Sequence, residues 1–142
     1  MKLRQHGYSL IELIVVIGII ALLASLAFPS YTAYVQRGNR SDATRALMQY
    51  AQAFERCYSS TFDYSKAACT PTLVPVASVS ANGYYNIALT AISATDYTLT
   101  ATPAGPPQNA DTLCTSFTLS ASAGQTATGA AANPSQFCWG SN

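Results

Sequence analysis

From Ser9 to Phe28 the chain reads SLIELIVVIGIIALLASLAF, and Glu12 is the only charge in that run. A helix that crosses a bilayer needs about 20 mostly apolar residues, and this stretch meets that length. A charged side chain near the centre of such a helix costs about 2.5–3.5 kcal/mol, so Glu12 calls for a partner or a task. The basic start, Lys2 and Arg4, also suits a cleaved secretory signal. Those signals carry an apolar region of about 7–15 residues followed by a small-x-small cleavage site. Here the run is longer, holds an acid near its start, and leads into Pro29-Ser30-Tyr31 and a helical pattern. It reads as an anchor. Lys2 and Arg4 before the span hold the amino end in the cytoplasm, which places residues after about 30 on the far side of the membrane.

Four cysteines, Cys57, Cys69, Cys114 and Cys138, fit that compartment, where an even number implies disulfides. Three pairings are open to four cysteines. The short-loop choice, Cys57–Cys69 and Cys114–Cys138, is the expected one. Each bond would contribute roughly 3 kcal/mol on the chain-entropy model. A zinc site is not expected, because the chain has no Cys-x-x-Cys pair and its one histidine, His6, lies before the apolar run.

Beyond Pro29 the pattern becomes amphipathic. Ala43, Ala46, Leu47, Tyr50, Ala51, Phe54, Cys57 and Tyr58 recur at steps of three and four and define one apolar helix face. Arg37, Arg40, Asp42, Arg45, Gln49, Gln52, Glu55 and Arg56 are expected on the other faces. Residues 8–58 therefore read as one long helix, loosened or kinked at Pro29 and weakened at Gly38. Residues 59–82, with Pro71 and Pro75, read as a loop. Strand alternation follows in Tyr84–Leu89, Asp96–Thr102 and Thr112–Ser120, which suits an antiparallel meander with one face on the helix. Residues 121–142 read as a small, polar tail.

The opening MKLRQHG, then Tyr8, Ser9, Leu10, Ile11, Glu12 and Leu13, resembles the class III signal of type IV prepilins. Tyr8 stands where phenylalanine is commoner, and Ser9 where threonine is. The order YYNIAL, YTLTATP, DTLC, FTLS and CW further resembles PilE-like minor pilins of Gram-negative type IV pili, although the pair Cys57 and Cys69 departs from that pattern. The resemblance implies an α+β pilin fold. A long N-terminal α-helix, transmembrane in its first half, would pack on a 3–4-stranded antiparallel β-sheet with a disulfide-closed C-terminal loop. Residues 1–7 would be a leader, 8–29 the transmembrane and polymerisation helix, and 30–142 the periplasmic or extracellular domain. Prepilin peptidase would cleave after Gly7 and N-methylate Tyr8. Glu12 would then guide assembly by pairing with the Tyr8 amino group of a neighbouring subunit.

The implied function is that of a structural subunit of a type IV pilus, major or minor, serving adhesion, twitching motility or DNA uptake. It would wait in the inner membrane with its N-terminus cytoplasmic, then pass into the filament through the pilus assembly machinery. Its partners would be other pilin subunits. A pseudopilin of type II secretion shares the N-terminal motif, but residues 121–142 contain no Asp or Glu for a calcium loop. A DNA-capturing competence pilin is the other alternative. Arg37, Arg40, Arg45 and Arg56 are its candidate DNA contacts, set against the plainer reading of a solvated or interface-facing helix. Without residues 1–7 the chain keeps five basic and six acidic side chains, which gives no broad attraction to nucleic acid. No enzyme is expected, since no histidine remains for a Ser/His/Asp or Cys/His arrangement. No cofactor and no metal are expected.

Overall fold

The computed structural model describes residues 8–67, 69 and 78–140. The leader with Gly7, Ala68, residues 70–77 with Pro71 and Pro75, and residues 141–142 lie outside them. The chain divides into two units, Met1–Tyr34 and Val35–Asn142.

Helix α1 runs from Leu10 to Thr61 without a break at Pro29 or Gly38. In the first unit its apolar side chains are exposed, and an 18-residue window reaches a mean hydropathy of 2.8 with none of it buried. Pro29 has no amide hydrogen to donate, and on either side of it the hydroxyls of Ser25 and Thr32 bond back to the carbonyls of Leu22 and Phe28, respectively.

In the second unit α1 lies on an antiparallel sheet of five strands. These are β1 (Ser78–Val79), β2 (Tyr85–Ile92), β3 (Tyr97–Pro103), β4 (Ser116–Ser120) and β5 (Gly124–Thr128), ordered β1-β2-β3-β4-β5. Ala43, Ala46, Leu47, Ala51 and Phe54 of α1 meet Tyr85, Ile87, Leu99, Ala101 and Phe117 of the sheet in one core. The three alanines keep that helix surface low, so the sheet can approach it closely.

The sheet departs from the sequence reading in three places. The region read as a loop carries the short β1, paired to β2 at Ser78↔Ile87. The strand expected from Thr112 starts only at Ser116, because the Asp111 carboxylate draws the Leu113 and Cys114 amides into a turn at 3.2 and 3.3 Å. The segment read as a tail contains β5 and helix α2 (Pro134–Cys138). β5 is an edge strand of small residues whose only inward apolar group is Ala127, so its alternation is faint in the sequence. Its open edge is covered by α2. Ser135 Oγ accepts from the Ala127 amide at 3.1 Å, and the Trp139 indole N–H donates to the Thr126 carbonyl at 2.8 Å. Between β5 and α2 the chain crosses Leu113 so closely at Gly129 that any Cβ there would collide with the Leu113 carbonyl.

Arg40 and Asp42 correct the helix reading more sharply, since both are buried rather than on an outer face. Arg40 donates to both Asp111 oxygens, at 2.7 and 2.9 Å, and its guanidinium sits 5.0 Å over the Phe137 ring. Asp42 accepts from the Ser80 hydroxyl and from the Asn82 backbone and side-chain N–H groups. One turn before Arg40, Gln36 donates to the Pro107 carbonyl, and the adjacent Asn39 donates to Gln108 Oε1. Polar side chains of α1 thus hold the two segments that flank the open end of the β2–β3 hairpin, one before Tyr85 and one after Pro103. Replacing Asp111 by Ala leaves Arg40 buried without its anion and lowers stability by about 3–5 kcal/mol. Urea unfolding should also show much of that loss recovered in the Arg40→Leu/Asp111→Ala double variant.

Candidate functional site

The functional groups fall on three surfaces, each set by a different element. At the start of the apolar helix, Tyr8 is exposed just ahead of α1, and Glu12 is the acid of its first turn. Leu13 donates to the Ser9 carbonyl at 3.2 Å, so helical bonding begins at Ser9.

The second surface is the outer side of α1 in the globular unit. Arg37, Arg45 and Arg56 are exposed, and none has an ion-pair partner among the described residues. Steps of four, three and four align Arg45, Gln49, Gln52 and Arg56 along one face. Arg40 does not join them. Its charge is met by Asp111 inside the fold, so it is withdrawn as a DNA contact on the helix surface. Lys66, the remaining cation of this unit, lies 3.5 Å from Asp63.

The third surface is the end of the domain beside α2. Cys114 and Cys138 are bonded, with Cα atoms 5.8 Å apart, and this ties α2 to the turn that Asp111 organises. Phe137 and Trp139 flank that bond and pack on the core. Beside them lies a cleft against α1, lined by Arg37, Arg40, Ser41, Thr44 and residues 137–140. Spacing along the chain gave no signal for this cleft, because its two walls are about a hundred residues apart in sequence.

At the other end of α1, Cys57 and Cys69 are bonded across a 5.7 Å Cα separation. Their loop closes over an aromatic cluster. Phe54 stacks on Tyr97 at 4.8 Å, Tyr58 on Tyr64 at 4.3 Å, and Tyr64 meets Tyr97 edge-on at 5.0 Å. Glu55 accepts from the Tyr64 hydroxyl at 3.0 and 3.1 Å and from the Tyr97 hydroxyl at 3.3 Å. Burial and the Glu55 carboxylate push the Tyr64 hydroxyl up from 10.0 to about 12. The Tyr97 hydroxyl is raised by the same causes. This is a structural cluster: its hydroxyls are donors to a carboxylate, held protonated. Among the described residues no group of His, Cys, Asp and Glu gathers to hold a metal.

Comparison with known proteins places these surfaces in a family. A model for the prokaryotic N-terminal methylation motif matches residues 2–28. A model described as the type IV minor pilin ComP, DNA uptake sequence receptor, matches residues 29–134. Among solved structures, the Neisseria meningitidis non-core minor pilin PilV is similar at 26% identity and a TM-score of 0.52, covering 68% of this chain and 90% of that one. No curated protein matches the chain.

A tyrosine raised on folding favours the folded state below its unfolded value of about 10 and loses that contribution as pH climbs through its folded value. Thermal unfolding followed against pH should therefore hold level up to about pH 10 and fall between pH 10 and about 12 as Tyr64 ionises. Tyr64→Phe should flatten part of that fall.

Proposed function

We propose that this chain, which belongs to the type IV minor pilins of the ComP type, is a filament subunit that presents its globular unit to DNA. The observation that carries the reading is the match of residues 29–134 to a DNA uptake sequence receptor, which covers the globular unit but for its C-terminal end. It lifts the DNA reading above that of a plain solvated helix. Three exposed arginines, Arg37, Arg45 and Arg56, are the cations available for phosphate. The similarity to a minor pilin over 90% of that chain favours a pilus over a secretion pseudopilus.

Anchoring and assembly rest on the N-terminal helix. The apolar stretch of α1 holds the subunit in the inner membrane, with the domain on the periplasmic side, until the assembly machinery draws it into the filament. Prepilin peptidase removes residues 1–7 after Gly7, and the new N-methylated amino group of Tyr8 becomes the counter-charge for Glu12 of a neighbour. In an apolar filament core an unpaired carboxylate is far less tolerable than near the membrane surface, so this pairing selects one axial register. Glu12→Gln keeps the size and removes the charge. By intact mass it should still begin at Tyr8, while its share of sheared filaments falls well below that of the wild type; equal incorporation would refute the pairing.

The DNA reading has a quantitative signature. Each phosphate neutralised on duplex DNA contributes about −0.9 to the slope of log affinity against log salt, so three arginines give a slope of about −2.7. Binding by the full-length chain in non-ionic detergent should therefore weaken about 40-fold between 50 and 200 mM salt. The Arg45→Gln/Arg56→Gln variant should bring the slope to about −0.9. An unchanged slope in that variant would move the contact away from α1, and absence of binding would remove the receptor reading.

A further inference from the structure

The cleft between α1 and α2 has a volume of about 270 Å³, near the lower end of ligand pockets, which start at roughly 300 Å³. One wall is Arg37, Arg40, Ser41 and Thr44, the other Phe137, Cys138, Trp139 and Gly140. The second wall lies beyond residue 134, where the family match ends. No acidic side chain lines the cleft among the described residues. Arg40 is committed to Asp111, which leaves Arg37 as the cation free to meet an anion.

The aromatic wall is rigid. Trp139 is held by its indole bond to Thr126 and by an edge-on contact with Phe117 at 6.0 Å, and the Cys114–Cys138 bond anchors the residue before it. Gly140 takes a φ of +73°, which turns the chain immediately after the ring. The hydroxyls on the helix wall have already spent their protons. Ser41 donates to the Gly38 carbonyl at 2.8 Å and Thr44 to the Ser41 carbonyl at 3.2 Å. Their oxygens are left as acceptors, suited to the amino group of a base rather than to a phosphate.

A fixed aromatic ring, one free guanidinium and acceptor oxygens in a space of this size match a single nucleotide. Base stacking on an aromatic side chain with a neighbouring cation on the phosphate is the general chemistry of single-strand binding. A paired, stacked base is too large to enter. We propose that this cleft receives one unstacked nucleotide of a single DNA strand, its base against Trp139, its phosphate on Arg37, and its amino group donating to Ser41 or Thr44. The proposal rests on the DNA-receptor reading and adds to it a preference for single-stranded segments.

Trp139 is the sole tryptophan, so its emission reports on this cleft alone. The full-length chain in non-ionic detergent is titrated with an end-labelled single-stranded oligonucleotide, following label anisotropy and tryptophan emission together. The expected result is binding accompanied by quenching of Trp139. An oligonucleotide carrying abasic sites throughout should bind with little quenching. Arg37→Gln should weaken binding severalfold and make the salt slope shallower by about 0.7, and Arg37→Lys should restore the slope. Anisotropy that rises with unchanged emission would overturn the cleft as the site while leaving the DNA reading intact. A free mononucleotide that quenches as strongly at equal concentration would overturn the strand as ligand. No anisotropy change with either single-stranded or duplex DNA would overturn both readings.

Discussion

The bidentate pair between Arg40 and Asp111 is the contact on which the rest of the globular unit depends. Burying two charges is costly unless they meet in good geometry and their remaining donors and acceptors are also occupied. Both conditions hold here. Asp111 accepts two guanidinium N–H groups and the amides of Leu113 and Cys114, and Arg40 lies on the face of Phe137. Because the same carboxylate shapes the turn before Cys114, the pair also sets the start of β4 and the position of the disulfide to Cys138. Helix α2, the covered edge of β5 and the cleft all follow from that placement.

Helix α1 answers two different solvents with one continuous backbone. From Leu10 to Phe28 it is apolar on all sides, so its side chains need lipid or other apolar helices around them. From Val35 onward it is apolar on one face only, and its polar residues divide into two groups. Gln36, Asn39, Arg40 and Asp42 reach loops 38 to 72 residues away in sequence, whereas Arg37, Arg45 and Arg56 remain outside. The inward group positions the sheet; the outward group is what another molecule can meet. A composition so poor in charge makes that division decisive, since among the described residues Arg37, Arg45 and Arg56 are the cations without an ion-pair partner.

The two disulfides brace opposite ends of the unit in the same manner. Each joins an irregular segment to a part of the core that is already packed: Cys57–Cys69 beside the tyrosine cluster, and Cys114–Cys138 beside Phe117 and Trp139. Short loops of small and polar residues contribute little apolar burial, so covalent closure and aromatic contacts do what a larger core would otherwise do.

Much of this was legible in the residues themselves. The long apolar run with its isolated Glu12 and the three- and four-step spacing from Ala43 to Tyr58 determined a long helix with two characters, because those patterns report directly on the surroundings each turn requires. The bulky alternation in Tyr85–Leu89 and Tyr97–Ala101 determined the central strands for the same reason. Periodicity is silent on polar groups that turn inward, since the partner that makes burial tolerable is distant in sequence. Arg40 and Asp42 look like solvent residues until Asp111 and Ser80 arrive from the sheet side. β5 and α2 carry little apolar weight of their own, and they exist because β4 offers an edge and Trp139 and Ser135 can close it. Only the tertiary structure could bring Arg37 and Trp139 to one cleft, because no local rule relates residues that meet solely through the packing of everything between them.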